Sequence, residues 1–285
     1  MIKNYLSLVK FSHTVFAIPF ALIGFFLAIK NKDQSFFLEE LIYVILCMIF
    51  ARNSAMAFNR YVDRNIDSAN PRTSKTREIP LGIIQANSAL IFVVINSFLF
   101  ILSTYLLNWT CLLLSPIALA VILGYSFTKR FTSLCHFVLG IGLSFSPIGA
   151  YLAVTAEFDI IPILFSTVVL FWVSGFDIIY ALQDEVFDKK HHLHSIPVLI
   201  GKKNAMMLSK VLHLATTITI IVIGINFFPF SPIYITASVL FIGLLYNQHR
   251  LLKKDDLSDI NMLFFTNNGI ASLVFGLLVI IDILV

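Results

Sequence analysis

Leu41-Ile-Tyr-Val-Ile-Leu-Cys-Met-Ile-Phe-Ala-Arg52-Asn-Ser-Ala-Met-Ala-Phe58-Asn59-Arg-Tyr-Val-Asp63-Arg-Asn-Ile-Asp67 decides how this chain is read. Its first part, Leu41 to Phe58, is a long apolar run of the kind that crosses a bilayer as a helix. Its end is acidic. Asn59, Asp63 and Asp67 recur every fourth residue, so on a helix they share one face, drifting by about 40° per step. Carboxylates side by side repel each other and are costly near lipid. A positive partner is required, and a divalent cation is the simplest.

A second acidic stripe follows far downstream. Asp177, Asp184 and Asp188 are spaced by seven and four residues and also fall on one helical face. The expectation is that the two stripes share one job.

The composition sets the class. Of 285 residues, 58% are hydrophobic and 13% charged, against about 45–50% and about 25% in soluble domains. This predicts a polytopic all-α membrane protein, one integral-membrane domain over 1–285. Cys47, Cys111 and Cys135 fall in or beside apolar runs, with neither disulfide nor zinc spacing. The N-terminal apolar run lacks a small-residue cleavage site and reads as a first permanent span.

Nine spans are expected, near 12–30, 39–63, 86–107, 109–127, 134–155, 160–183, 204–227, 231–248 and 261–284, bundled around a central cavity. Asn108-Trp109 and Pro229–Pro232 mark tight turns. Lys and Arg gather in alternate connections: Lys3 and Lys10; Arg60 to Arg77; Lys129 and Arg130; Lys189 to Lys203; Arg250 to Lys254. The opposite side has Lys30 and Lys32. The positive-inside rule then places the N-terminus, and both acidic stripes, at the cytoplasmic face. Spans two and six, each ending in a stripe and a basic loop, form a faint parallel repeat.

The first motif continues through Asn70-Pro71-Arg72-Thr73 and Arg77-Glu-Ile-Pro80. Mg²⁺ takes oxygen ligands, typically one or two carboxylates plus substrate phosphates. Asn59 adds a neutral oxygen, and Arg72 and Arg77 supply forked donors suited to phosphate. The combination reads as a Mg²⁺–diphosphate cradle; the competing reading is a helix end solvated by mixed charges. Asp177, two turns inside a span, is a functional candidate on cost alone. Tyr180, one turn away, orients a ligand, faces a developing cation, or is an interfacial tyrosine. Arg52 lies about 16 Å deeper than Asp63 and needs an acidic partner from protein or substrate. Lys129 and Arg130 follow Tyr125 at the end of span four, within reach of the same basin; the competing reading is that they are ordinary positive-inside residues without a function. His191, His192 and His194 fit no common zinc pattern and read as solvated loop or phosphate contacts. Asn267 and Asn268 read as helix–helix hydrogen bonds. Some of the 28 phenylalanines are expected to line an apolar tunnel.

NRYVDRNID…NPRT…REIPLG and GFDIIYALQDEVFD…HSIP, with YSFTKRFT between them, resemble the UbiA superfamily of membrane prenyltransferases over nearly the whole chain. The resemblance is nearest to bacterial members of the 4-hydroxybenzoate polyprenyltransferase type and their menaquinone-pathway relatives. It implies nine helices around a cavity, with the acidic motifs at its cytoplasmic mouth in the bacterial inner membrane. It implies Mg²⁺ held by Asn59, Asp63, Asp67, Asp184 and Asp188, and phosphate contacts from Arg72, Arg77 and Lys129. Tyr125 and Lys129 match the family's Tyr-xxx-Lys element. One departure is that Gln-Asp-Glu-Val-Phe-Asp and His194-Ser195-Ile196-Pro197 replace a more acidic run and a Lys-Ser step. The His-Ser-Ile-Pro form resembles relatives in the futalosine route to menaquinone, leaving the acceptor open between 4-hydroxybenzoate and another aromatic acid.

The expected function is Mg²⁺-dependent transfer of a polyprenyl group from its diphosphate to an aromatic acid in ubiquinone or menaquinone biosynthesis. In this scheme Arg72, Arg77 and Lys129 steady the leaving group, and Asp177 takes the ring proton or steadies the cation. Arg52 or the region of His13 holds the acceptor's acid group. The partners are these substrates and membrane lipid, with no nucleic acid and no obligate protein. The rival is a secondary transporter of an anionic substrate, whose site belongs near the midplane.

Overall fold

The computed structural model describes residues 2–10, 17–32, 37–251 and 260–285, and among these there is no β-strand. The helices are α1 (Ile2–Leu8), α2 (Ile18–Lys32), α3 (Leu38–Val62), α4 (Arg64–Ala69), α5 (Ala86–Leu107), α6 (Trp109–Thr128), α7 (Cys135–Thr155), α8 (Ile160–Ala181), α9 (Glu185–Lys190), α10 (Ile196–Phe227), α11 (Pro232–Leu251) and α12 (Ile260–Leu284). Helices dominate because a chain in hydrocarbon must satisfy every backbone N–H and C=O internally. Seven helices among the described residues are long and apolar enough to cross a membrane, and Ile18–Asn31 is a shorter apolar helix. The chain is an integral membrane protein. Two of the nine expected spans, those matching α2 and α11, are not among those seven. The expected role for His13, and the positive charges of Lys253 and Lys254, lie outside the described residues.

Polar residues at the joints set where helices start. Asn108 caps α6 by accepting from Cys111 N–H at 2.9 Å, and its amide donates to the carbonyls of Leu152 and Ala153, tying that turn to the end of α7. Asp159 caps α8 by accepting from Ile161 N–H at 2.9 Å. Gly201, at φ 77°, breaks the regular geometry of α10 one turn after its start, a conformation that L side chains resist.

α8 is the most enclosed of the long helices, packed between α7 and α10. Its Trp172 sits in an aromatic cluster with Phe20, Phe176 and Phe241, and donates from Nε1 to Asn268 Oδ1 at 3.1 Å. Asn268 thus makes the interhelical hydrogen bond expected of it. The outer faces carry large apolar side chains such as Phe98, Trp109, Ile225 and Val239, as a lipid-facing surface requires.

The acidic stripes do not run on unbroken helices. α3 ends at Val62, Asp63 takes φ −87° and ψ 6°, and α4 starts afresh. α8 likewise ends at Ala181, and the 3-10 turn Leu182–Asp184 separates it from α9. Extrapolating one helical period across Asn59–Asp67 and across Asp177–Asp188 is therefore corrected. Asp63 and Asp184 sit at these corners, where the chain turns and their carboxylates can splay toward neighbours.

Candidate active site

The ends of α3, α6 and α8 meet the starts of α7 and α10 at one end of the bundle, because the chain alternates direction through α3, α5, α6, α7 and α8. The loop after α4 reaches over to α8. Asn70 Nδ2 donates to Asp184 Oδ1 at 3.0 Å, and its own Oδ1 accepts the Arg72 N–H at 2.9 Å. Arg72 then donates from Nε to Asp184 Oδ1 at 3.0 Å, from Nη2 to Asp184 Oδ2, and from Nη1 to the Tyr180 hydroxyl at 3.1 Å. Burial works against the Arg72 charge, but Asp184 and Tyr180 outweigh it and hold the guanidinium above its ordinary pKa.

The other carboxylates are held similarly. Asp67, buried in α4, pairs with Arg77. Asp188 pairs with Lys129 Nζ at 2.8 Å, and Asp63 with Arg130 Nη2 at 3.2 Å. Lys129 and Arg130, neighbours at the end of α6, thus take one acid from each stripe. Asn59 donates to Asp63 Oδ2 at 3.0 Å. Burial first, and Asp67 second, push the Asp63 carboxyl above its usual value, against Lys129, Arg130 and Arg77.

The expected convergence of Asn59, Asp63, Asp67, Asp184 and Asp188 on one cation is not preformed. Among the described residues no three His, Cys, Asp or Glu side chains are grouped to hold a metal. The physical reason is that each carboxylate is turned to a basic partner, four acids to four bases. The donor set itself fits Mg²⁺, being carboxylate and amide oxygen.

Asp177 stands apart from these pairs. Its Oδ2 lies 2.7 Å from His136 Nδ1 at the start of α7. The sequence reading passed over His136. An ionisable residue in an apolar run is itself a signal, but no periodic motif contains this one. The reading also left Asn70 without a role of its own, although it bridges the two motifs.

Alongside α3, α5, α6 and α7, short of the acidic end, lies a cavity of about 240 Å³. Its walls are mostly apolar, with Ala51, Phe100, Leu139 and Gly149 among them, and its polar lining includes Arg52 and Tyr125. Arg52 has no ion pair among the described residues, and its buried Nε lacks a hydrogen-bond partner. The acidic partner expected for it within the protein is not found there. Tyr125 lines the cavity one helical turn before Lys129, which pairs with Asp188, so it stands between cavity and basin. His191, His192 and His194 are exposed, and His194 N–H donates to the Lys129 carbonyl at 2.7 Å.

The structure is that of a membrane helical bundle with a charged basin at one end and an apolar cavity beside it. The chain belongs to the UbiA prenyltransferase family, which it matches over residues 17–269; it is a membrane enzyme, a prenyltransferase. The 4-hydroxybenzoate octaprenyltransferase of Photobacterium profundum is 31% identical over 84% of this chain and 82% of its own length. That of Nitrosomonas europaea is 31% identical over 83% and 80%. A UbiA homolog from Aeropyrum pernix K1, solved in its apo form, is 30% identical, with a TM-score of 0.84 over 95% of this chain and 98% of that one. A UbiA homolog from Archaeoglobus fulgidus, solved bound to GPP and Mg²⁺, shares the fold with a TM-score of 0.77 at 20% identity, over 99% of this chain and 100% of that one.

Proposed function

We propose that this enzyme transfers a polyprenyl group from its diphosphate to an aromatic acid, 4-hydroxybenzoate or a related acid of menaquinone synthesis, with Mg²⁺ as cofactor. It acts as one domain of nine spans in a bacterial inner membrane, with the charged basin facing the cytoplasm. The carrying observation is that Lys129 and Arg130 draw Asp188 and Asp63 from opposite halves of the chain into one basin beside an apolar cavity. Relatives named 4-hydroxybenzoate octaprenyltransferase and a fold neighbour holding GPP and Mg²⁺ support the reading. The basin lies at one end of the bundle rather than midway, which favours it over a transporter.

In this scheme Asn59, Asp63, Asp67, Asp184 and Asp188 would hold Mg²⁺, which would supply Lewis-acid neutralisation of the diphosphate. Arg72, Arg77 and Lys129 exchange their carboxylate partners for phosphate oxygens and stabilise the charge that grows there. The allylic C–O bond breaks, and its electron pair leaves with the diphosphate. Tyr125 and Tyr180 face the cationic carbon with their rings or hydroxyls. Arg52 holds the acceptor's carboxylate, so that an aromatic carbon lies near the allylic carbon and its π pair forms the new C–C bond. The ring proton passes to Asp177. The apolar walls keep water from the cation.

The test is to incubate the purified protein in proteoliposomes with labelled polyprenyl diphosphate, Mg²⁺ and a panel of aromatic acids. A prenylated acid identified by mass spectrometry supports the reading; hydrolysis alone, or no turnover with any acid, overturns it.

A further inference from the structure

His136 is buried in the first turn of α7 and joins three helices. Its Nδ1 faces Asp177 Oδ2 of α8 at 2.7 Å, and its Nε2 lies 3.3 Å from the backbone N of Ile196 at the start of α10. A backbone N–H only donates, so Nε2 must accept, and the ring's one proton belongs on Nδ1. The neutral imidazole then donates to Asp177. Two further features hold the ring in place. Ser174, one turn before Asp177, donates to the His136 carbonyl oxygen at 3.3 Å. α7 also lies so close to α8 that a Cβ on Gly140 would come within 2.3 Å of Ser174 Oγ.

Asp177 is only partly enclosed. Its side chain keeps 23% of its exposure. Among the described residues no Lys or Arg pairs with it. It differs in this from the four acids of the basin, whose partners suit exchange for Mg²⁺ and phosphate. Its partner is a buried ring with no freedom to leave.

We propose that His136 is a positioning residue for prenyl transfer: it holds Asp177 turned so that Oδ1 is presented toward the acceptor to receive the ring proton. The inference rests on the proposed function. After the new C–C bond forms, the C–H pair returns to the ring and the proton moves to Asp177 Oδ1. His136 keeps its Nδ1 proton throughout, because the Ile196 N–H blocks Nε2 from taking a second.

Two substitutions in the full-length protein test this. His136→Phe keeps the ring's bulk and removes both hydrogen bonds; His136→Asn restores an N–H close to the place of Nδ1. The expected result is a fall in kcat of about ten- to a hundredfold for His136→Phe, with Mg²⁺-pyrophosphate affinity unchanged and most of the rate recovered in His136→Asn. Histidine-selective ¹⁵N NMR of the wild type should show a neutral ring protonated on Nδ1, and that signal should vanish in His136→Phe. Unchanged kcat overturns the proposal. So does a pyrophosphate affinity that falls as far as kcat, which marks a purely structural role, or a wild-type ring protonated on Nε2. A wild type that prenylates no aromatic acid overturns the functional reading instead; an active wild type with an indifferent His136→Phe overturns the His136 proposal alone.

Discussion

Arg72 grips Asp184 with two guanidinium nitrogens, although 112 residues separate them. The contact fastens the loop of the first acidic motif onto the second, and its third arm reaches the Tyr180 hydroxyl. A planar fork makes all three contacts at once; an ammonium does not. Arg72→Lys is therefore expected to weaken Mg²⁺-pyrophosphate binding by about tenfold, one charge-assisted hydrogen bond at about 1.4 kcal/mol. Isothermal titration checks this, and wild-type affinity in Arg72→Lys counts against a forked contact.

The carboxylates and the basic groups of the basin occupy each other in pairs. A cation alone must take acids away from Arg72, Arg77, Lys129 and Arg130, and an anion alone must do the reverse. Together each ligand accepts what the other releases. Mg²⁺ is expected to bind at least about tenfold more tightly with pyrophosphate present, and pyrophosphate to gain by the same factor, since binding linkage is reciprocal. Titrations of each ligand with and without the other measure both factors; independent binding contradicts the exchange.

Lys129 and Asp188 make the most one-sided pair, with the aspartate side chain 2% exposed and the lysine 30%. Removing the lysine leaves a buried charge without its ion-pair partner, at a cost of about 1–3 kcal/mol. Lys129→Ala should lower the thermal midpoint in detergent, and adding Asp188→Asn should restore much of it, because the stranded charge is gone. A double variant no more stable than Lys129→Ala would show that the pair adds nothing to stability.

Arg52 lies at the cavity with its Nε unpaired. Arg52→Met keeps most of the apolar stem and removes the charge. The acceptor KM is expected to rise about tenfold or more, as when a buried charge loses its partner, while the prenyl-donor KM stays put. Equal changes in both constants would place Arg52 elsewhere in the cycle.

The helices were legible in the sequence because long apolar runs leave hydrocarbon-spanning helices as the economical solution. The acidic motifs were legible because carboxylates at a membrane face are costly and therefore informative. The breaks at Asp63 and at Leu182–Asp184 were not legible: residue spacing extrapolates a straight helix and carries no mark of where packing bends it. The pairs were hidden for another reason. Which of Arg72, Arg77, Lys129 and Arg130 meets which aspartate depends on how α6 and the loop after α4 dock, and that is long-range information. His136 was overlooked because a single histidine has no period; only its position between Asp177 and Ile196 gives it meaning.

The central claim is that acids from the two halves of the chain serve one diphosphate. Mg²⁺-dependent pyrophosphate binding by Asp63→Ala and by Asp184→Ala, each measured by titration against the wild type, tests it most directly. The account predicts that each substitution alone costs about a hundredfold or more in affinity, as for an unpaired charge contact in a buried site; wild-type affinity in either variant would contradict it.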